Sequence, residues 1–175
     1  ESPRAATPRV SILIRTVDRP AWLAQALSSV AEQTWPNVEA VVIEDGPERS
    51  REVVERFRDR LRIVYHATGD KVGRARAGNL ALASATGEWL NFLDDDDLLF
   101  ADHVETLVAA VEAEKARAAY SLAWEVPTMA RPADPRGYVE LNHYVPPVLR
   151  QEFHAEVLRH HNFLPIQSVL FERTL

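Results

Sequence analysis

The chain has 175 residues, of which 46% are hydrophobic and 26% are charged. This composition is typical of one globular domain and argues against a disordered or membrane-spanning chain. The net charge of -6 argues against a general binder of nucleic acid or of anionic membranes. Because there is no cysteine, disulfides and thiolate metal sites are excluded. A cytoplasmic location is expected, with peripheral contact to a membrane as an alternative.

Residues 1–8 are polar and predict a tether ahead of a single domain over residues 9–175. The first strand is predicted at residues 10–14, which are almost continuously apolar, as in strands that are covered on both faces. Asp18 is the predicted N-cap of the first helix, and Pro20 suits its first turn. Helical spacing then predicts an inner face made of Trp22, Leu23, Ala26, Leu27 and Val30.

Strand and helix then alternate three more times. The predicted strands are residues 38–43, 61–65 and 88–93. The first two predicted helices are about residues 50–60 and residues 74–85, and Gly87 is expected to terminate the second. A further helix is predicted with Asp102 as its N-cap. Its inner face consists of Val104, Leu107, Val108 and Val111. This alternation with short joints predicts a mostly parallel, Rossmann-like α/β sheet flanked by helices.

The pattern weakens after residue 118. A fifth strand is predicted at residues 119–124, and prolines then interrupt a long irregular segment. A loop of that length in a compact domain is more often functional than idle. A short helix at about residues 150–160 and a last strand at residues 167–171 complete the prediction.

Three polar clusters follow strands of this sheet: Arg15 and Thr16, Glu44 and Asp45, and residues 94–97. Ligands of parallel α/β sheets bind outside the carboxyl ends of the strands, so the three clusters are expected to converge on one edge. Residues 94–97 are four consecutive aspartates, which repel one another unless a cation lies against them. Their oxygens suit Mg²⁺ or Mn²⁺ holding a diphosphate. The alternative is that one or two of them only cap the following helix.

Four ordered segments carry a family resemblance: residues 10–20, 33–39, 42–46 and 85–97. In turn they look like the opening strand and turn, the first helix-to-strand joint, the acidic turn and the strand leading into the DxD metal motif of family 2 glycosyltransferases. The resemblance implies a GT-A nucleotide-sugar-binding domain. It also implies inverting transfer of a sugar from a nucleotide diphosphate sugar, with Mn²⁺ or Mg²⁺ bound. A UDP-sugar is the first donor expected, and a glycan or a lipid-linked molecule is the expected acceptor.

Within the acidic run, the resemblance implies separate roles for the four aspartates. Asp96 would be the principal metal ligand. Asp94 and Asp95 would contact the ion, its waters or the ribose of the donor. Asp97 would cap the turn that follows.

The resemblance also implies donor contacts on the other two clusters. Asp45 is similar to the family's carboxylate that accepts a hydrogen bond from a nucleobase N–H. Glu44 would either contact the donor or serve as a structural neighbour. Arg15 and Thr16 lie in the turn that would face the nucleotide.

Two departures from the family pattern affect these contacts. Arg15 stands where the family usually has proline, and residues 17–18 replace its usual Tyr-Asn pair. The family's frequent arginine before Asn79 is Gly78 here. Arg76 is therefore the candidate cation for the diphosphate or base, with Arg74 and Lys71 as alternatives.

The general base of inverting members is a carboxylate, commonly in an acidic pair after a strand similar to residues 167–171. The chain stops at Leu175, so the base is expected beyond it and the acceptor side is expected to be truncated. No residue is assigned as the base.

Two other functions stay open at this point. A sugar-phosphate nucleotidyltransferase would also use a nucleotide and Mg²⁺, but residues 15–20 lack the glycine-rich loop that such enzymes normally show after the first strand. A non-catalytic nucleotide-binding module of a larger protein is the second alternative.

Histidine and tryptophan spacing gives weaker indications. The adjacent His160 and His161 cannot both face one metal from a regular helix, so these two and His154 are interpreted as surface or loop residues. Trp22 and Trp89 lie on predicted inner faces and are expected in the core.

Overall fold

The computed structural model describes residues 7–175. The tether prediction for residues 1–6 therefore lies outside the described residues. Thr7 and Pro8 are held against the domain, because their carbonyls accept hydrogen bonds from the Asn37 side chain at 2.7 Å and the Trp35 indole at 3.0 Å. The domain thus makes its first described contacts at residue 7.

A six-stranded sheet with the order β3-β2-β1-β4-β8-β5 forms the centre of the domain. The strands are β1 (Val10–Thr16), β2 (Val38–Glu44), β3 (Arg62–Ala67), β4 (Trp89–Asp94), β5 (Ala118–Tyr120), β6 (Thr128–Ala130), β7 (Tyr138–Glu140) and β8 (Val169–Glu172). The helices are α1 (Pro20–Ala31), α2 (Arg51–Glu55), α3 (Arg74–Ser84), α4 (His103–Glu114) and α5 (Ala155–His160). Strands β1 to β4 are parallel, and β8 runs antiparallel to its neighbours β4 and β5. The predicted single α/β domain with a mostly parallel sheet is confirmed.

Alternating side chains of β1 point into two separate cores. Ile12 and Ile14 pack in the larger core, together with apolar residues of α1, α2 and α4. Leu13 packs in the second core against Ala77 and Ala81 of α3. Because both faces of β1 are buried, the strand needs a continuous apolar run and not an alternating one.

Gly87 is required by a close approach of backbone to β1. A Cβ at this position would lie 2.6 Å from Ser11 Oγ and 2.8 Å from the Arg9 carbonyl oxygen. The Gly87 N–H donates to Ser11 Oγ at 2.8 Å. Its predicted role as helix terminator is wrong, since α3 ends at Ser84 and Ala85 is its C-cap.

Several predicted boundaries differ from the observed ones. Helices α2 and α5 are shorter than predicted, and the segments beside them form turns and a 3₁₀ turn at Pro147–Leu149. Strand β3 starts later and β5 ends earlier than predicted.

The predicted N-cap at Asp18 is also wrong. Asp18 has a left-handed backbone (φ 52°), and Arg19 occupies the N-cap position without a side-chain capping bond.

The proline-rich segment contains a hairpin that the sequence did not predict. Strands β6 and β7 pair antiparallel, and Tyr138 at the start of β7 packs on α1. The rings of Trp22 and Tyr138 stack with centroids 4.8 Å apart, and the Tyr138 hydroxyl donates to Gln25 Oε1 at 2.8 Å. Trp22 is therefore half-buried under the hairpin and not part of the core, whereas Trp89 packs against the larger core.

Candidate functional site

The strand register brings the predicted polar clusters together at the carboxyl edge of the sheet. Arg15 lies opposite Asp94 across the β1–β4 pair, and Thr16 lies opposite Glu44 across the β1–β2 pair. Asp45 follows β2, and its N–H donates to the Thr16 carbonyl at 2.9 Å. The expected convergence of the three clusters is therefore present in the fold.

Arg15 is a mostly buried cation at this edge. Its guanidinium forms an ion pair with Asp94 and lies 5.5 Å from the centroid of the Phe92 ring. Arg15 packs along helix α3 at Gly78, where a Cβ would make an ordinary van der Waals contact with the Arg15 Cδ atom at 3.7 Å. Arg15 Nε is buried without a hydrogen-bond partner among the described residues.

Asp95 is the most deeply held of the four aspartates. Its side chain is 1% exposed, accepts a hydrogen bond from Thr16 Oγ1 at 2.7 Å and pairs with Arg19. Burial raises the pKa of Asp95 and Asp96 adds repulsion, and together they outweigh the opposing effects of Thr16 and Arg19. This carboxylate is fixed in place and faces β1.

Arg19 spans two members of the acidic run. One of its guanidinium nitrogens pairs with Asp95, and the other donates to Asp96 Oδ2 at 2.9 Å. Asp96 is the most exposed of the four, at 48% of its side chain. The cation expected beside the acidic run is thus supplied, in this structure, by a side chain from the start of α1.

Asp97 ends the turn that the acidic run forms. Its N–H donates to the Asp94 carbonyl at 3.0 Å, and the next helix, α4, begins only at His103. Burial first, and then the charges of Asp96, Asp94 and Asp95, raise the pKa of Asp97 to about 6. The prediction that Asp97 caps the following turn is wrong, since the turn precedes it. The predicted cap Asp102 does occupy the N-cap position of α4, although without a side-chain capping bond.

Glu44 anchors the turn after β2. It accepts hydrogen bonds from the backbone N–H groups of Arg49 and Ser50, both at 3.0 Å, and from the Ser50 and Tyr65 hydroxyls. Burial and the bond to Glu44 raise the pKa of Tyr65. The contacts seen for Glu44 are those of a structural neighbour of the site.

Asp45 fastens the loop before α3 to the sheet. Its Oδ1 accepts from the Val72 N–H at 2.6 Å, and its Oδ2 accepts from the Gly73 N–H at 3.0 Å. Arg74 and Arg76 lie exposed in the first turn of α3, outside the ion pairs found among residues 7–175. The cation that is buried over the site is therefore Arg15 and not Arg76.

Two cavities lie among the polar clusters, and the acidic run lines the larger one. The smaller one has a volume of about 190 Å³ and is lined by Val17, Asp18, Glu44, Asp45, Gly46, Pro47, Arg49 and Lys71. The larger one has a volume of about 380 Å³ and lies between the acidic run, α1 and the β6–β7 hairpin. Asp95, Asp96 and Asp97 form one wall of the larger cavity.

The larger cavity contains residues that the sequence did not single out. His103, a buried residue of α4, contacts Asn91 Oδ1 through Nε2 at 2.9 Å, and burial lowers its pKa. Tyr138 and Glu140 reach the cavity from the hairpin. Tyr138 and Glu140 reach the cavity only because the proline-rich segment packs against α1, so no local sequence pattern could have identified these two residues. His154, His160 and His161 lie exposed, as predicted.

A complete protein-built metal site is not formed by residues 7–175, in which no group of three or more His, Cys, Asp or Glu side chains is arranged to hold an ion. The side chains of Asp94 and Asp96 are nevertheless partly exposed at the edge, at 24% and 48%. Mg²⁺ and Mn²⁺ commonly take only one or two protein carboxylates and complete their coordination with water and phosphate oxygens. These two residues fit that kind of site.

An α/β domain with an acidic turn at the carboxyl edge of its parallel strands is the architecture of GT-A glycosyltransferases, and solved structures match it. S. aureus TarS 1–349 in complex with UDP-GlcNAc superposes with a TM-score of 0.72 at 17% identity, covering 95% of this chain and 46% of that one. The mannosyltransferase PcManGT from Pyrobaculum calidifontis, in complex with GDP-Man and Mn²⁺, gives a TM-score of 0.59 at 24% identity, covering 74% of this chain and 38% of that one. Both matches establish the fold.

Sequence comparison identifies the family. The family model described as Glycosyl transferase family 2 matches residues 11–152, so the chain belongs to glycosyl transferase family 2. An uncharacterized glycosyltransferase of Rickettsia bellii is 34% identical over 105 residues, which are 59% of this chain and 15% of the relative. Glycosyltransferase GlyG of Streptococcus pneumoniae is 26% identical over 111 residues, which are 61% of this chain and 36% of GlyG. The resemblance predicted from the motifs is confirmed.

Proposed function

We propose that this chain is the donor-binding domain of a glycosyltransferase that transfers a sugar, with inversion, from a nucleotide diphosphate sugar. The observation that carries the proposal is the convergence of Arg15, Thr16, Asp45 and the acidic run at one sheet edge, in a chain of this family. A UDP-sugar is the first candidate donor, because a neighbour of the same fold is described with UDP-GlcNAc and with UDP. A glycan or lipid-linked acceptor stays part of the proposal.

The nucleotide is proposed to lie across the smaller cavity. Asp45 lines it and is the proposed acceptor for a nucleobase N–H, since each carboxylate oxygen can accept more than the backbone bonds already made. Lys71 lines the same cavity as a cation. Arg15 is the proposed contact for phosphate charge, because its guanidinium lies at the same edge and pairs with Asp94, one of the proposed metal ligands. Arg76, exposed in the first turn of α3, is the second candidate.

Mn²⁺ or Mg²⁺ is proposed as cofactor, with Asp96 as principal ligand and Asp94 as the second. When bound, the ion would neutralise charge on the departing diphosphate. Asp95 is proposed to act on the bound ion or donor indirectly, because its carboxylate oxygens already accept hydrogen bonds from Thr16 and Arg19. The general base is not assigned to any described residue.

The proposal is tested by a thermal-shift measurement with UDP, GDP, dTDP and CMP, each with and without Mn²⁺. At a ligand concentration of 100 times Kd, linkage predicts a stabilisation of about 2.7 kcal/mol, or roughly 5–10 °C in Tm for a domain of this size. Asp96→Ala is expected to abolish the Mn²⁺-dependent part. Asp59→Ala, in the exposed turn before β3, is the matched control and should keep it. An unchanged shift in Asp96→Ala would contradict the metal assignment.

Two alternatives are separated by product analysis. A nucleotidyltransferase would release pyrophosphate from a nucleoside triphosphate and a sugar phosphate, and family membership favours sugar transfer over this reaction. A non-catalytic module would show the thermal shift, but the full-length protein that contains it would release no UDP from a UDP-sugar. Release of UDP that depends on Asp96 is the result expected for a glycosyltransferase.

A further inference from the structure

We infer that the larger cavity binds the acceptor as an uncharged sugar ring, with Trp124 as its stacking platform. This inference rests on the proposed function and names the acceptor class for the same site. The cavity shares Asp95, Asp96 and Asp97 with the donor edge, and the smaller cavity is lined by residues of the turns after β1 and β2. A donor lying over the acidic run would therefore present its sugar to the larger cavity.

The shape and apolar lining of the cavity suit a sugar ring. Its volume of about 380 Å³ falls within the usual range for small-molecule sites. Trp124 lines the cavity and is 50% exposed, so much of its indole surface is open to a ligand. The C–H face of a pyranose can pack on the electron-rich face of an indole. Trp22 is already covered by Tyr138, so the exposed aromatic residues of the cavity are Trp124 and Phe100, and Trp124 offers the larger ring.

The polar lining favours a ligand that donates hydrogen bonds. Besides Asp96, which is the proposed ligand of the metal ion, Asp97 and Glu140 contribute carboxylates, and the residues that line the cavity within the described part of the chain include neither lysine nor arginine. Arg19 and Arg136 pair with Asp96 and Glu140, but neither belongs to the lining. Carboxylates accept hydrogen bonds from hydroxyls and repel phosphate or carboxylate groups, which are anionic at neutral pH. Phosphorylated and acidic sugars are thus disfavoured.

The hairpin is held in place by contacts with α1, so this wall of the cavity is preorganised. Tyr138 stacks on Trp22 and bonds Gln25, and both partners belong to α1. Glu140, two residues further along β7, is held by Arg136 at 2.6 Å and by His143 at 2.8 Å. Glu125, next to Trp124, forms a bridge with Tyr144 on the far side of the hairpin. Trp124 and Glu140 therefore lie on segments whose positions are held by these contacts.

The test is saturation-transfer NMR on the 175-residue protein with UDP and Mg²⁺ present, because Mg²⁺ is diamagnetic and does not broaden the signals of the glycoside. The probes are the methyl glycosides of glucose, galactose, mannose and N-acetylglucosamine, each beside its 6-phosphate. We expect transfer to at least one neutral glycoside and none to its phosphate. Trp124→Ala should weaken the binding by roughly tenfold, as for loss of an aromatic anchor. Trp124→Phe should retain most of it. Trp35→Phe should not change it, because Trp35 is not among the residues that line the cavity and its indole bonds the Pro8 carbonyl.

The outcomes separate this inference from the proposed function. Three results overturn the inference and leave the donor site intact, provided that UDP and Mg²⁺ stabilise the protein. These results are no bound glycoside, equal or stronger binding of the phosphates, and glycoside binding that survives Trp124→Ala. Absence of any UDP-dependent shift in the same samples overturns the proposed function itself. The Tm of each variant, measured without ligand, establishes that the variant is folded.

Discussion

Arg19 places one guanidinium across two carboxylates that would otherwise repel each other. Removal of this cation leaves Asp95, which is 1% exposed, without its charge partner. Because Arg19 itself is 43% exposed and screened by solvent, the loss of stability in Arg19→Gln is expected to be about 1–2 kcal/mol. The same change vacates Asp96 for a metal ion, so Mn²⁺ should bind more tightly to the variant.

This expectation is checked by isothermal titration of Mn²⁺ and by the Tm of metal-free protein. Arg49→Gln is the matched control, because Arg49 pairs with the exposed Asp18 in the adjacent turn. A variant that loses stability and also binds Mn²⁺ more weakly would mean that Arg19 orders the carboxylates for the ion and does not compete with it.

Glu39 provides the clearest pH-dependent contribution to stability. It is fully buried at the opposite edge of the sheet and accepts hydrogen bonds from Ser11 Oγ at 2.7 Å and from Thr86 N–H at 2.8 Å, with Arg62 Nε at 3.0 Å. Burial alone would raise the pKa of Glu39, but these hydrogen bonds and the charge of Arg62 outweigh it, and the net pKa lies below the ordinary value of 4.5. Its stabilisation is thus complete above that value and is lost as pH falls through the folded-state pKa.

The corresponding measurement is urea unfolding of the protein and of Glu39→Gln between pH 7 and pH 3. The difference in unfolding free energy should be largest at pH 7 and should shrink below about pH 4.5. Glu52→Gln, an exposed residue of α2, should show no such trend. A difference that stays constant down to pH 3 would contradict the role of the Glu39 charge.

At the scale of elements, the first four strands and their helices could be predicted because each carries its own periodicity. The convergence of Arg15, Asp45 and Asp94 followed from strand ends alone. The β6–β7 hairpin could not be predicted, since its strands have three residues each, lie among prolines and bury mainly Tyr138. The bridge from Arg19 to the acidic run was missed for a similar reason: it joins side chains 76 residues apart.

The hairpin is expected to depend on Tyr138 more than on its own backbone pairing. Tyr138→Ala removes the stack on Trp22 and the bond to Gln25, which should lower the free energy of local opening by roughly 3 kcal/mol. Tyr138→Phe keeps the stack and should lose only about 1 kcal/mol. Hydrogen exchange of residues 128–140 measures the opening. Equal hydrogen-exchange rates in the two variants would show that the Tyr138 ring does not determine the stability of the hairpin.

At the scale of the whole molecule, β8 joins the end of the described chain to its centre. Leu170 of this strand is fully buried in the larger core, and β8 separates β4 from β5. Leu170→Ala should therefore destabilise the entire domain by about 2–5 kcal/mol. Leu175→Ala, at a side chain that is 69% exposed, is the control and should change little. Denaturant unfolding followed by tryptophan fluorescence checks both, and a small effect at Leu170 would show that β8 is peripheral.

The sheet order also has a consequence for biosynthesis. Strand β4 leaves the ribosome about 75 residues ahead of β8, the strand that pairs with its open side. At about 5–20 residues per second, translation leaves that hydrogen-bonding edge unpaired for roughly 4–15 seconds. A nascent chain of this domain is therefore exposed to edge-to-edge association during that interval, and a chaperone that shields unpaired strands would act on it then.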